Sequence, residues 1–174
     1  LDEKLITRKK EIHDNVIPSS NSVMANILFS LGTLFYNDQY KEMAVQMLEN
    51  IKENIKSGGM YYSNWAKLLN KLIWPVFEVV VTGPASLEFR AKFDREYLPF
   101  ILFAGSVKDS NLPILENRLN DIKTTIYVCR NKVCLLPVGT VEEALRLIEK
   151  ESGSFNTFFL SQVHYVTCGY YTSG

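Results

Sequence analysis

Cys129 and Cys134 have the spacing most suggestive of chemistry, because the pair Asn131-Lys132 lies between them. If Asn131-Lys132 forms the two-residue turn of a β-hairpin, Arg130 and Val133 flank the turn and Cys129 lies directly opposite Cys134. The Cα atoms of such a pair are about 4.5 Å apart, near the lower limit for a disulfide. The spacing therefore predicts either a strained cross-strand bridge that is easily reduced, or two reduced thiols packed on one face of a sheet.

The two cysteines fit other sulfur chemistry less well. Their Cys-x4-Cys spacing differs from the Cys-x-x-Cys of dithiol oxidoreductases, and no predicted helix begins beside either sulfur. His164 and Cys168 would complete a set of four zinc ligands. However, they lie in a segment to which the sequence pattern assigns no element. We therefore predict no metal ion and no cofactor.

A second group of residues suited to chemistry precedes the first predicted helix: His13, Asp14, Ser19, Ser20, Asn21 and Ser22. Short polar side chains and free backbone N–H groups at a helix start suit ligand hydroxyl groups or an anion. Asp14 and Asn21 would then hydrogen-bond the ligand, and His13 would transfer protons. The alternative is that the group only caps the helix. Glycoside hydrolysis needs two carboxylates across the substrate, and only Asp14 is evident, so we predict no complete active site.

The elements that position these residues begin with three helices. The first has N-cap side chains from Ser19 to Ser22. The second is predicted to be capped by Asp38 and to end at Gly58-Gly59 through a left-handed cap. The third begins near Ser63 and stops before Pro75. Because a short linker joins the first two helices, they should pack as an antiparallel hairpin. The first helix is predicted to pack through apolar residues at helical spacing, namely Val23, Ile27, Leu28, Leu31, Leu34 and Phe35.

β-Branched runs replace the helical spacing after Pro75. A strand at 76–81, a helix at 86–97 capped by Ser86, and a strand at 100–104 predict a parallel crossover. The elements predicted after it are a short helix at 113–119, strands at 124–130 and 133–137, and a helix from the Thr140/Glu143 capping box to about 151. The predicted fold class is mixed α+β, with a helical segment at 1–75 and a small α/β unit at 76–151. The tail at 152–174 fits either an extra strand or a weakly folded end.

The composition excludes several classes of partner. Nineteen basic and nineteen acidic residues balance, so no overall field attracts nucleic acid or a membrane surface. No apolar stretch approaches the roughly 20 residues that cross a bilayer, and the first residues do not form a signal peptide. Three cysteines, an odd number, fit the reducing cytoplasm better than secretion. The chain begins with Leu1 rather than Met, so we expect further protein before it.

Three stretches together resemble one family. They are Glu11–Asn26, which contains the Pro-Ser-Ser-Asn-Ser of residues 18–22, then Tyr62–Trp65, and then Thr125–Val138 with both hairpin cysteines. The set is similar to the C-terminal end of the thioredoxin-domain-containing proteins related to spermatogenesis-associated protein 20. The likeness covers roughly residues 5 to 150. Members usually carry Gly where this chain has Ser20, which weakens any inference about close backbone approach there.

The resemblance implies a thioredoxin-like domain followed by an α/α toroid similar to six-hairpin glycosidases and sugar epimerases. Residues 1–75 would belong to an incomplete toroid, and their partners would be the upstream thioredoxin-like domain and the remaining toroid helices. In that setting the chain is the C-terminal structural part of a protein of carbohydrate metabolism, whose toroid binds a sugar-like small molecule. The alternatives are a redox or protein-interaction module that uses the Cys129/Cys134 hairpin, and a non-catalytic scaffold for the thioredoxin-like domain.

Overall fold

The fold is mixed α+β, with helices followed by a small four-stranded mixed sheet, as the sequence predicts. A computed structural model describes residues 10–74, 76–119 and 122–152. The predicted tail is 152–174; Ser152 ends the last helix, and residues 153–174, with His164 and Cys168, lie outside the described residues. Within the described ranges, no helix combines the length and the apolar character needed to span a membrane.

The helical part comprises α1 (Ser20–Leu34), α2 (Asp38–Glu49), α3 (Lys52–Gly58), a 3₁₀ turn (Gly59–Tyr62) and α4 (Ser63–Ile73). Ser19 caps α1 by accepting a hydrogen bond from the Ser22 backbone N–H at 3.3 Å. The helices α1 and α2 pack against each other as a helical hairpin, as predicted. Their shared core with α4 includes Ala25, Phe29, Ala44, Leu48, Trp65 and Leu68.

The buried face of α1 matches the predicted one only in part, since Leu28 and Leu34 pack against apolar clusters but other predicted residues do not. Val23 and Ile27 are 38% and 44% exposed, whereas the residues buried on α1 are Ser22, Ala25, Phe29, Gly32 and Thr33. Small residues face α2 because the two backbones approach closely. A Cβ atom on Gly32 would lie 2.8 Å from Lys41 Cγ and 2.9 Å from the Asn37 carbonyl oxygen. Periodicity identifies an apolar stripe but does not show that a neighbouring helix needs small residues instead.

The single second helix of the sequence prediction is wrong. Ile51 is buried and has φ −123°, so the helix stops at Glu49 and α3 begins at Lys52. Gly58 and Gly59 have φ −139° and −45°, so neither forms the predicted left-handed cap, and the chain continues into the 3₁₀ turn.

The predicted caps and ends of other elements also differ. Asn37 rather than Asp38 caps α2, by accepting a hydrogen bond from the Tyr40 N–H. The helix predicted at 86–97 is α5, Ser86–Phe93, with Ala85 in the cap position. The helix predicted at 113–119 is a 3₁₀ turn, Pro113–Leu115. The two predicted helices therefore end four residues earlier than expected, at Phe93 and Leu115.

The sheet contains β1 (Phe77–Thr82), β2 (Ile101–Ser106), β3 (Thr125–Arg130) and β4 (Val133–Cys134), in the order β2-β1-β3-β4. The pair β1/β2 is parallel and α5 lies in the connection between these strands, whereas β1/β3 and β3/β4 are antiparallel. The last helix, α6, runs over 141–152 and begins at the predicted capping box, where the Glu143 N–H donates to Thr140 Oγ1 at 3.2 Å. The sequence therefore predicted the four strands and the hairpin turn correctly, but β4 ends at Cys134 rather than at Pro137.

Both faces of the sheet are covered. One face packs on α5 and α6 through a core that includes Phe77, Val79, Val81, Phe93, Val128 and Ala144. The other face carries Val80. It packs with Ile114 and Leu115 of the 3₁₀ turn at Pro113–Leu115, and with Leu34 and Tyr36 of the helical part. Because side chains alternate along a strand, Glu78 and Thr82 share this second face with Val80. Cys129, directly opposite Glu78, is on the same face and therefore meets the helical part.

Gly83 ends β1 in a conformation that only glycine adopts readily, with φ +114°. A Cβ atom there would lie 2.7 Å from the Lys123 carbonyl oxygen and 2.8 Å from the Thr124 Cα atom. By contrast, Gly59 has φ −45° and nothing within 4 Å of an added Cβ atom. Substitutions at the two positions can therefore be compared, because the fold requires glycine at Gly83 but not at Gly59.

We expect Gly83→Ala to lower the free energy of unfolding by about 1–3 kcal/mol, from backbone strain alone. Gly59→Ala should leave it unchanged or raise it by up to about 1 kcal/mol, because alanine restricts the unfolded chain. Urea denaturation of both variants measures this difference. Equal stability of the two variants would contradict the described connection after β1.

Candidate functional site

The hairpin brings the two cysteines together as the sequence predicts. Cys129 pairs with Cys134 and Arg130 with Val133 across β3 and β4. Asn131 and Lys132 have φ 50° and 69°, the positive values of a type I′ turn. The two sulfurs are bonded at 2.11 Å, with Cα atoms 3.9 Å apart, closer than the expected 4.5 Å.

The two sulfurs differ in their access to solvent. Cys129 is 1% exposed because β3 is an inner strand, with β1 on one side and β4 on the other. Cys134 is only partly buried, and its neighbour Val133 is 74% exposed. A molecule arriving from solvent therefore meets Cys134 first.

Arg118 contacts both sulfurs. Its Nη1 atom lies 3.4 Å from Cys129 Sγ, and its Nη2 atom lies 3.3 Å from Cys134 Sγ. The same Nη2 also donates to the Tyr36 hydroxyl at 3.3 Å. A guanidinium group in this position would stabilise a thiolate on either cysteine once the bond is reduced.

The backbone of Arg118 is fixed by its surroundings. Asn117 adopts φ 57°, a left-handed conformation that asparagine tolerates, and the Arg118 N–H donates to the Leu115 carbonyl at 3.2 Å. The Arg118 carbonyl accepts hydrogen bonds from Thr82 Oγ1 at 2.6 Å and from the Tyr127 hydroxyl at 3.4 Å. The guanidinium also lies 5.3 Å from the centre of the Tyr127 ring. Arg118 is therefore positioned before any change at the sulfurs.

Glu78 is the buried acid of this site. It is 2% exposed and pairs with Cys129 across β1 and β3. Burial raises the pKa of its carboxyl, and the charges of Lys41 and Arg118 and the backbone N–H groups of Lys132 and Asn131 oppose that shift. Among the described residues its Oε2 atom has no hydrogen-bond partner. Glu78 lines a cavity of about 180 Å³ together with Lys41, Lys71 and Asn131.

Sequence reasoning missed both Arg118 and Glu78. Glu78 had one signal, since it is the single charged residue in the predicted strand at 76–81. Arg118 had none, because its partner Tyr36 is 82 residues away in the chain. No group of three or more His, Cys, Asp or Glu side chains suited to a metal occurs in the described ranges.

The predicted ligand-binding group at the start of α1 is tied together by hydrogen bonds around Asp14. Its Oδ1 accepts from the Ser19 N–H at 2.9 Å and from the Ser22 hydroxyl at 2.7 Å. Its Oδ2 accepts from the Asn64 N–H at 2.8 Å. Asp14 is buried, and its carboxylate joins the approach to α1 with the start of α4.

Hydrogen bonding decides the charge of Asp14. Burial alone would raise the pKa of its carboxyl, but the bonds from Ser19, Ser22 and Asn64 outweigh burial and the pKa lies below its ordinary value. The carboxylate is therefore charged at neutral pH and is held by three donors.

The other members of the predicted group do not converge on one point. Asn21 donates to the Glu11 carbonyl at 2.8 Å, and the His13 ring lies 5.2 Å from the Tyr62 ring. Ser20 is exposed at the first position of α1. A groove of about 420 Å³ does lie beside α1 and α4, but its lining includes Asn26, Ser30, Asn64 and Lys67 and none of the predicted residues.

The comparisons with known proteins give one distant relative. No protein-family model and no solved structure matches the chain. A curated protein of Caenorhabditis elegans, described as "Uncharacterized protein B0495.5", is 23% identical over 159 residues. The alignment covers 86% of this chain and 22% of that protein, so the chain spans about a fifth of the relative's length.

We expect Asp14→Asn to lower the free energy of unfolding by about 1–3 kcal/mol, because an amide cannot accept all three hydrogen bonds. The lowered pKa of Asp14 makes its contribution complete above the ordinary Asp pKa of about 3.9 and lost as pH falls through the lower folded-state value. Variant and wild type should therefore converge in acid.

Urea denaturation at several pH values measures this effect, with the exposed Ser20→Ala as the control that changes little. An Asp14→Asn variant as stable as the wild type at neutral pH would contradict a structural role for Asp14.

Proposed function

We propose that the Cys129/Cys134 hairpin is a reversible dithiol–disulfide couple, in the C-terminal part of a larger cytoplasmic protein. The observation that carries the proposal is the Arg118 guanidinium, which lies within 3.4 Å of both sulfurs. A cation at this distance has little effect on a permanent disulfide, but it stabilises the thiolate through which every disulfide exchange must pass.

The position of the bond in the chain argues against a purely structural role. The two cysteines are five residues apart, and the Asn131-Lys132 turn already closes this loop. In the loop-closure model a cross-link over so few residues contributes only about 2 kcal/mol, less than one that joins distant segments. Breaking the bond therefore leaves the hairpin register largely determined by its turn and its hydrogen bonds.

The hairpin is placed so that its redox state can affect the rest of the chain. Lys132 in the turn forms an ion pair with Asp38 at 3.1 Å, and its Nζ lies 5.6 Å from the Tyr36 ring centre. Tyr36 lies in the connection between α1 and α2, and Asp38 is the first residue of α2. A change at the sulfurs would act on contacts that join the sheet to the helical part, which is what a redox switch or an interaction module requires.

The family resemblance supplies the wider setting of the proposal. Two of the three resembling stretches are in direct contact, because Trp65 Nε1 donates to the Ile12 carbonyl and the Asn64 N–H donates to Asp14. The third contains the hairpin. Val23 and Ile27 form an exposed apolar strip on α1, suited to packing against upstream toroid helices. The greater length of the C. elegans relative supports a larger protein around this chain.

A second candidate function is the binding of a sugar-like molecule in the groove beside α1 and α4. The groove combines the amides Asn26 and Asn64 with Lys67 and the aliphatic Ile27, and polar groups next to apolar surface suit the two faces of a sugar ring. Both amides already make hydrogen bonds within the chain, so a ligand would share them. This candidate concerns the C-terminal part of a carbohydrate-binding toroid and does not depend on the cysteines.

Thiol counting tests the redox proposal directly. In a Cys168→Ser chain under mild oxidation, we expect no thiol to react with a maleimide added together with denaturant. After the folded chain is treated with dithiothreitol and the reductant is removed, both Cys129 and Cys134 should react under the same labelling conditions, in which the buried Cys129 is accessible. Removing the reductant and adding oxidised glutathione should restore the bond. Two thiols that stay fully reactive under oxidation would contradict the proposal, as would a bond that resists reduction in the folded protein.

Melting temperatures with mono- and oligosaccharides test the second candidate. A ligand should raise the melting temperature by about 2–4 °C for each kcal/mol by which it stabilises the folded state at the concentration used, and Lys67→Ala should reduce the shift. Lys56→Ala, on the exposed side of α3 and away from the groove, serves as the control. No shift with any sugar tested would count against a carbohydrate site.

A further inference from the structure

The two sulfurs of the hairpin are not equivalent, and this inference rests on the proposed redox function. We propose that Cys134 is the sulfur attacked by an incoming thiolate, that Cys129 is the leaving sulfur, and that Arg118 is the positioning residue that stabilises the Cys129 thiolate. The incoming group would be a small monothiol of the glutathione type.

Solvent access selects the attacked sulfur. Cys134 is partly exposed at the end of the short strand β4, beside the exposed Val133. Cys129 is 1% exposed and lies on the face of β3 that meets the helical part. Attack on Cys129 would require the helical part to move away, whereas attack on Cys134 would not. Access is one of the factors that determine which sulfur of a disulfide reacts.

The electrons move as in any thiol–disulfide exchange. The incoming thiolate forms a new S–S bond to Cys134 Sγ while the Cys129–Cys134 bond breaks, and the electron pair of the broken bond remains on Cys129 Sγ. A second thiolate then attacks the incoming sulfur, which releases Cys134 as a thiolate and the two external thiols as their disulfide. Water supplies the protons that the two cysteines take up at their own pKa values.

Arg118 supplies the stabilisation that the buried leaving group needs. A thiolate in an apolar environment is unfavourable, but Arg118 Nη1 is 3.4 Å from Cys129 Sγ before the reaction begins. A lower thiol pKa makes the leaving group depart faster. Because the Arg118 carbonyl is bound by Thr82 and Tyr127 and its Nη2 by Tyr36, little reorganisation is needed when charge appears.

Other charged and titratable groups near the sulfurs either stabilise or destabilise a thiolate at Cys129. They are Glu78 on β1, Tyr36 before α2, Tyr127 on β3 and Lys132 in the turn. A charged Glu78 would oppose a thiolate at Cys129, and its raised pKa reduces this opposition. Among the described cations near the hairpin, Arg118 contacts both sulfurs, whereas Lys132 is paired with Asp38 and Lys41 lines the cavity beside Glu78.

Reduction kinetics test the role of Arg118. In the oxidised Cys168→Ser chain, Arg118→Met should slow reduction by glutathione about tenfold, because a neighbouring charge shifts a thiol pKa by about 1–3 units. Arg118→Lys should recover part of the rate. If the Met variant does not fold, the rate of the Lys variant relative to the wild type tests the role of Arg118 instead. Arg130→Met is the matched control, since it removes the same charge next to Cys129 but from the other face of β3, where Arg130 covers the Phe77 ring. Unchanged reduction in Arg118→Met, or equal slowing in Arg130→Met, would overturn the assignment.

Single-thiol chains test the order of the sulfurs. With Cys168 also replaced by Ser, the Cys129→Ser chain should form a mixed disulfide with oxidised glutathione faster than the Cys134→Ser chain. In the Cys134→Ser chain, the pH at which Cys129 becomes half-reactive towards iodoacetamide should rise when Arg118 is replaced by Met. Faster mixed-disulfide formation at Cys129 would reverse the roles and leave the redox function standing. A chain in which the bond never forms would overturn the redox function and this inference together.

Discussion

The Arg118 guanidinium joins three parts of the molecule that are far apart in sequence. It contacts both hairpin sulfurs and donates to Tyr36 in the helical part. The backbone carbonyl of Arg118 accepts hydrogen bonds from the sheet residues Thr82 and Tyr127. A charged group in a partly buried site must satisfy its donors, and here the helical part, the sheet and the cysteines share that task. The position of the hairpin relative to the helices depends on this contact and on the Lys132–Asp38 ion pair nearby.

The alternation of side chains along β1 and β3 explains why the site lies where it does. Phe77, Val79 and Val81 face the two helices α5 and α6, which places Glu78 on the opposite face with Cys129 as its cross-strand neighbour. A shift of β3 by one residue against β1 would turn Cys129 into the apolar core and away from Glu78. The same register that buries the core therefore assembles a cation, a buried acid and two sulfurs at one end of the sheet.

Local chemistry allowed much of this to be predicted from the sequence. The Asn131-Lys132 turn, the Thr140/Glu143 capping box and the run of β-branched residues after Pro75 each depend on residues that are close in the chain, and the structure contains all three. The buried face of α1, the break at Ile51 and the position of Arg118 depend on neighbours from distant segments, such as Lys41 against Gly32 and Tyr36 against Arg118. A single sequence contains no direct record of such contacts. Asp14 is an intermediate case. The sequence places it near its polar neighbours at the start of α1, but does not predict the hydrogen bond that Asp14 accepts from the distant Asn64 N–H.

The Cys129–Cys134 bond is proposed to form and break within an intact hairpin. A titration of the folded Cys168→Ser chain against glutathione buffers measures this most directly, with the ¹³Cβ shifts of both cysteines and the cross-strand contacts of β3 and β4 as the signals. We expect one two-electron transition at a potential above about −300 mV, the range of labile rather than structural disulfides, with the β3/β4 contacts retained in both redox states. A bond that stays oxidised at every poise, or a hairpin that loses its pairing on reduction, would contradict this proposal.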